Sequence, residues 1–131
     1  MQITLEADYA VRCLVYLKDH DKKLSVLSDI SAVTLIPPAF LSKILQKMVR
    51  HGLVRSQKGK KGGFRLAKDP ERISVSDILL ATCGGPTVLK MVCSKSGAPC
   101  VFLKNCKIHG VWQDLGKIID MILRSRKLSQ L

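Results

Sequence analysis

The stretch that decides the fold runs from Ile30 to Lys68, ISAVTLIPPAFLSKILQKMVRHGLVRSQKGKKGGFRLAK. It carries nine Lys or Arg residues and no Asp or Glu. Packing does not call for charge of one sign, but a polyanionic partner does. Thr34-Leu35-Ile36 connects a short helix to a second one, and Pro37-Pro38 stops the first and opens the second, because Pro is tolerated at the first helical position. The second helix is expected from Pro38 to about His51. Phe40, Leu41, Ile44, Leu45 and Met48 should face inward, and Gly52 should form its C-terminal cap. Leu53 to Gln57 has strand composition, Lys58-Gly59-Lys60-Lys61-Gly62-Gly63 is a basic turn, and Phe64-Arg65-Leu66 returns as a second strand. Two helices joined by so short a turn, followed by a basic hairpin, predict a winged helix-turn-helix.

In such a motif the second helix enters the major groove and the wing follows backbone or minor groove. The outward positions of that helix are Ala39, Ser42, Lys43, Gln46, Lys47 and Arg50. Ser42, Lys43 and Gln46 have the chemistry to meet base edges or phosphates. In the wing, Lys58, Lys60 and Lys61 are expected on phosphates, with Gly59 letting the backbone come close and Arg55 and Arg65 assisting. A charge run alone usually marks a solvated face. Here it coincides with a helix-turn-helix pattern and a basic hairpin, so double-stranded DNA is the expected partner.

Upstream, residues 5–18 read as a helix, with Leu5, Tyr9, Cys13, Tyr16 and Leu17 three or four apart and Asp8 one turn from Arg12. Ser25 is placed to cap a helix from Val26 to about Val33. Downstream, Ser74 with Asp77 three residues on makes a capping-box-like start to a helix that ends near Cys83. Residues 87–109 have weak periodicity. Val111, Leu115, Ile118, Ile119 and Ile122 then form an apolar stripe on a long helix to about Lys127. A lone helix with such a stripe needs a surface to cover, and a second subunit is a natural one. The expected organisation is mainly α with a small β-hairpin wing. It comprises a winged helix-turn-helix DNA-binding domain over residues 1–83, a cysteine-containing cluster-binding loop over 84–110 and a dimerisation helix over 111–131.

At 131 residues and 47% hydrophobic, the chain can bury a core, and its net charge of +12 favours a nucleic acid or an anionic surface. No apolar run approaches a membrane span, and the N-terminus lacks the pattern of a secretory signal, so a cytoplasmic protein is expected. There is no phosphate-binding loop, nucleophile–base motif or paired-carboxylate site, and the histidines are scattered at 20, 51 and 109. An enzyme is not expected.

In a cytoplasmic chain clustered cysteines point to metal or redox chemistry rather than disulfides. Cys93, Cys100 and Cys106 are spaced C-x6-C-x5-C, and His109 follows at C-x2-H. Soft thiolates select zinc, copper(I) or iron–sulfur clusters. Zinc sites more often use close C-x2-C pairs, whereas these wider gaps suit a larger body such as a cluster, and three cysteines leave one position for another ligand. His109 is one candidate, and Asp8 of the partner subunit is the other, if the last helix crosses to a second chain. The competing reading is a zinc site, or direct oxidation of the thiols, with no cluster. Cys13, on an apolar helix face, and Cys83, near a helix end, read as small hydrophobes.

The string IPPAFLSKILQKMVRHGLVRSQKGKKGGFRLAK, then Ser74-Val75-Ser76-Asp77-Ile78 and three spaced cysteines, resembles the bacterial iron–sulfur winged-helix transcription regulators of the IscR/NsrR type. The resemblance covers nearly the whole chain. It implies a homodimer with crossing C-terminal helices, a 2Fe–2S or 4Fe–4S cluster near the dimer interface and a roughly palindromic operator. It also implies a regulator that responds to redox, nitric oxide or iron–sulfur status and, on the pattern of its repressor members, represses. Cys93, Cys100 and Cys106 match the three cluster cysteines. His109 matches the histidine of one type, and Asp8, beside Arg12, matches the carboxylate that the other type supplies from the second subunit. Ser42-Lys43 stands where the IscR type has a Glu-Gln pair, and the first cysteine gap, six residues, is one longer than the commonest pattern.

Overall fold

A computed structural model of the chain describes residues 4–83 and 105–131. Among these residues five helices, α1 (Leu5–Asp19), α2 (Leu27–Thr34), α3 (Pro38–Arg50), α4 (Val75–Cys83) and α5 (His109–Ser125), accompany one antiparallel hairpin, β1 (Val54–Gln57) and β2 (Gly63–Leu66). The mainly helical winged-helix fold expected from the sequence is the one observed.

Helix α1 starts where Thr4 Oγ1 accepts the amide of Ala7 at 3.2 Å, which satisfies one of the unpaired N–H groups of the first turn. It buries Ala7, Ala10, Cys13, Leu14, Tyr16 and Leu17, while Leu5, expected on that face, is exposed. Ser25 does not cap α2. Its backbone instead exchanges two hydrogen bonds with Phe64, at 2.9 and 2.8 Å, which adds a one-residue third strand to the hairpin. Gly63 makes this approach possible, since a Cβ there would lie 2.7 Å from the Ser25 carbonyl oxygen. Backbone pairing with a distant strand has displaced the local cap.

The turn between α2 and α3 places Leu35 in the left-handed region, φ 57°, which costs a non-glycine residue about 1–2 kcal/mol. The next residue, Ile36, is fully buried, a gain of about 1.5–3 kcal/mol. Ser31 Oγ also donates to the Ile36 carbonyl at 2.7 Å. The strained residue thus brings an anchor into the core. Pro38 occupies the first position of α3, and Leu41, Ile44, Leu45 and Met48 are all fully buried at i, i+3, i+4 and i+7 spacing. Phe40, expected inward, is 55% exposed, because it lies at the edge of that sector in the first turn. At the other end Gly52 adopts φ +67°. The Leu53 amide donates to Met48 O at 2.9 Å and the Gly52 amide to Val49 O at 3.0 Å, closing α3 with a Schellman motif.

The hairpin register pairs Val54 with Leu66, Arg55 with Arg65, Ser56 with Phe64 and Gln57 with Gly63. Helix α4 begins as its sequence requires. Asp77 Oδ2 accepts from the amide and hydroxyl of Ser74 at 2.9 and 2.7 Å, and Ser74 Oγ accepts the Asp77 amide at 3.1 Å. Partial burial pushes the Asp77 carboxyl up. The two Ser74 hydrogen bonds and the charges of Lys127 and Lys68 outweigh that and hold it below its ordinary 3.8.

The last helix differs from expectation at both ends. It begins at His109, inside the segment read as a loop, and stops at Ser125 rather than near Lys127. The chain then runs back along residues 73–75. The Val75 amide donates to Arg126 O at 2.9 Å and the Leu128 amide to Ile73 O at 2.8 Å, with Ser74 and Lys127 paired as an antiparallel bridge. Leu128, in a short 3₁₀ turn (Leu128–Gln130), is fully buried in the same core as α1, α3 and α4. The end of the segment expected to be dimerisation helix thus packs in the core shared with α1, α3 and α4. No single helix among the described residues is long and apolar enough to cross a membrane.

Candidate DNA-binding surface and cluster segment

Burying Leu41, Ile44, Leu45 and Met48 turns the opposite side of α3 outward. Ala39, Lys43, Gln46 and Arg50 are exposed, and Ser42 and Lys47 are half-buried. Gln46 Nε2 points to Ser42 Oγ at 3.5 Å, so both remain available to base edges. Lys47 is held by α1, its Nζ 2.5 Å from Glu6 Oε1. Beyond α3, Lys58, Gly59, Lys60 and Lys61 form the exposed tip of the hairpin. At the hairpin's base Arg55 and Arg65 are direct cross-strand partners, both exposed. Like charges in that position oppose strand pairing, and a phosphate between or beside them relieves it. Phe40 was missed as a surface residue, although its position in the first turn of α3 was the available signal. An exposed aromatic there suits a thymine methyl.

The cysteine segment is described only in part. Cys93 and Cys100 lie outside the described residues, while Cys106 is half-exposed and free. The His109 amide donates to Cys106 O at 3.3 Å, so the two residues close the turn that leads into α5. His109 Nδ1 is buried with no hydrogen-bond partner. Asp8, the rival fourth ligand, accepts from Arg12 Nε at 2.7 Å on the surface of α1. Among the described residues no three His, Cys, Asp or Glu side chains converge to hold a metal ion. Cys13 is fully buried, and burial pushes its thiol up to about 12. It stays protonated and inert, as its place on an apolar face implied.

On α5 no side chain is buried. Of the stripe read from the sequence, Val111, Leu115, Ile118 and Ile122 are exposed and Ile119 is half-buried, and Trp112 and Met121 are exposed beside it. Its polar side is tied down by Arg124 Nε donating to Asp120 at 2.6 Å and by Ser76 Oγ donating to the other Asp120 oxygen at 3.2 Å.

A basic recognition helix with no carboxylate of its own, next to a lysine-tipped wing, defines a winged helix-turn-helix DNA-binding protein. The model of the Rrf2 family, described as iron-dependent transcriptional regulators, matches residues 3–131, and the chain belongs to that family. It is 31% identical over 132 residues to the regulator IscR of Vibrio vulnificus, covering 100% of this chain and 77% of that protein. It is 30% identical over 112 residues to the regulator NsrR of Shouchella clausii, covering 85% and 74%. The global cysteine regulator CymR of B. subtilis has the same fold, with a TM-score of 0.77 at 21% identity, covering 98% of this chain and 94% of that one. The chain is therefore a DNA-binding transcription regulator and not an enzyme.

Proposed function

We propose that this chain acts as a homodimeric regulator, a repressor, that reads a roughly palindromic operator. It takes its signal, whether redox state, nitric oxide or iron–sulfur status, through an iron–sulfur cluster next to the dimer helix. Ala39, Ser42, Lys43, Gln46 and Arg50 enter the major groove, and Lys58, Gly59, Lys60 and Lys61 take the flanking backbone. The dimer forms along the exposed stripe of α5. The observation that carries the sensing reading is the buried, unpartnered Nδ1 of His109, one turn from the free Cys106. A buried ring nitrogen without a partner is costly, and a metal centre is one way to satisfy it.

Cys93, Cys100 and Cys106 would hold the cluster, with His109 as the fourth ligand. Asp8 of the partner subunit is the weaker candidate, because its carboxylate would have to leave the Arg12 guanidinium. A bound cluster supplies a one-electron couple and iron–thiolate bonds that oxygen or nitric oxide can break. The protein's own part is to keep Cys106 and His109 at the start of the helix that sets the dimer.

The test is metal and sulfide analysis with a visible spectrum on protein purified without oxygen. Iron with acid-labile sulfide, lost in Cys100→Ala and weakened in His109→Ala, is expected. Zinc without sulfide, or no metal, would overturn the sensing reading and leave DNA binding intact.

A further inference from the structure

Among the nine cations between Ile30 and Lys68, Lys47 stands apart. Its ion pair with Glu6 reaches across 41 positions of sequence and ties the first turn of α1 to the third turn of α3. Among the described residues the remaining ion pairs all lie outside that stretch. The other eight cations have no ion pair among the described residues, and this one is already matched. The two side chains are 35% and 37% exposed, so the pair is open enough for DNA to challenge yet close enough to count.

A carboxylate at hydrogen-bond distance is a chemical stand-in for a phosphate oxygen. A lysine so occupied gains little by changing partners, and it neutralises no additional phosphate charge. Backbone attraction is the sequence-independent part of binding. The part carried by Ser42, Lys43 and Gln46 at base edges does not depend on Lys47.

We propose that Glu6 is a charge brake on the recognition helix. It holds Lys47 in place of a DNA phosphate, so that α3 offers the backbone one cation fewer than its sequence carries. The effect is to lower non-specific binding while leaving base readout untouched. The inference rests on the reading that the outward side of α3 meets DNA.

The experiment uses the full chain and a fluorescein-labelled duplex of arbitrary sequence, with anisotropy followed over a salt series and all variants in the same cluster state. A half-exposed pair contributes little to stability, so Glu6→Gln is expected to fold. It should steepen the slope of log affinity against log salt by about 0.9 per protomer, which is roughly a three- to fourfold effect between 50 and 200 mM salt. Lys47→Gln should leave the slope unchanged, and the double variant should return to the starting slope. If Lys47→Gln alone flattens the slope, or Glu6→Gln leaves it unchanged, there is no brake. If the Glu6→Gln gain persists in the double variant, Glu6 acts by repelling DNA and the proposal is overturned. Lys43→Ala is the control for the underlying reading. A flatter slope there with no Glu6 effect refutes the brake alone, and no change in any α3 variant refutes both.

Discussion

Helices α3 and α5 carry the same kind of apolar stripe and meet opposite fates. In α3 Leu41, Ile44, Leu45 and Met48 are fully buried, whereas in α5 not one side chain is buried and Ile118 and Ile122 are each 50% exposed. The stripe of α3 is covered by the chain's own core, with α1 and α4 among its walls. That of α5 is left uncovered by the described residues. An amphipathic pattern thus states a requirement for burial without saying who meets it. In α3 the requirement stabilises the fold, and in α5 the described residues leave it unmet, which is the face the proposed dimer would cover.

If that contrast is right, equivalent damage to the two helices should break different things. Ile118→Lys in α5 is expected to give folded monomers by light scattering and to lower operator affinity by about a hundredfold or more, because two half-site contacts cease to be linked. A variant that stays dimeric would dissolve the contrast. Leu45→Ala in α3 should instead cost about 2–5 kcal/mol of stability in urea unfolding, with no direct effect on the α5 stripe. Ser74→Ala, which removes half of the α4 capping box, should cost about 1 kcal/mol at neutral pH. The Asp77 carboxyl is held below 3.8 in the folded state, so its contribution is present above that value and is lost as pH falls through the folded value. The gap between wild type and Ser74→Ala should therefore narrow in unfolding curves taken at decreasing pH below about 4. The smallest effect belongs to the wing tip. Lys61→Ala should reduce the salt slope of DNA binding by about 0.9 and leave melting temperature and oligomeric state alone.

Elements with local signals were legible in the sequence. Pro38 at the start of α3, Gly52 at its end and the Ser74–Asp77 box each act within a few residues, and all stand where the pattern placed them. Two of the misreadings share one cause, competition from a distant partner. Ser25 looks like a cap, but Phe64 takes its backbone. The end of α5 looked two residues longer because nothing nearby signals that Arg126 and Leu128 will pair with Val75 and Ile73. On the candidate site, composition revealed the basic side of α3 and the wing. It could not reveal that Lys47 is occupied, because Glu6 is 41 positions away. The cysteine spacing was legible as chemistry, while the arrangement of Cys93 and Cys100 lies outside the described residues.

The return of the chain after α5 has a mechanical consequence. Leu128 sits in the core, and two backbone hydrogen bonds join residues 126 and 128 to the approach of α4. This welds the far end of α5 to the body that carries α3. In a dimer built on α5, each reading head is then fixed to its shaft without a joint. Any rotation of one shaft against the other is passed to the reading heads at full angle, and the crossing angle of the two shafts acts as the calibration of the caliper that measures the operator.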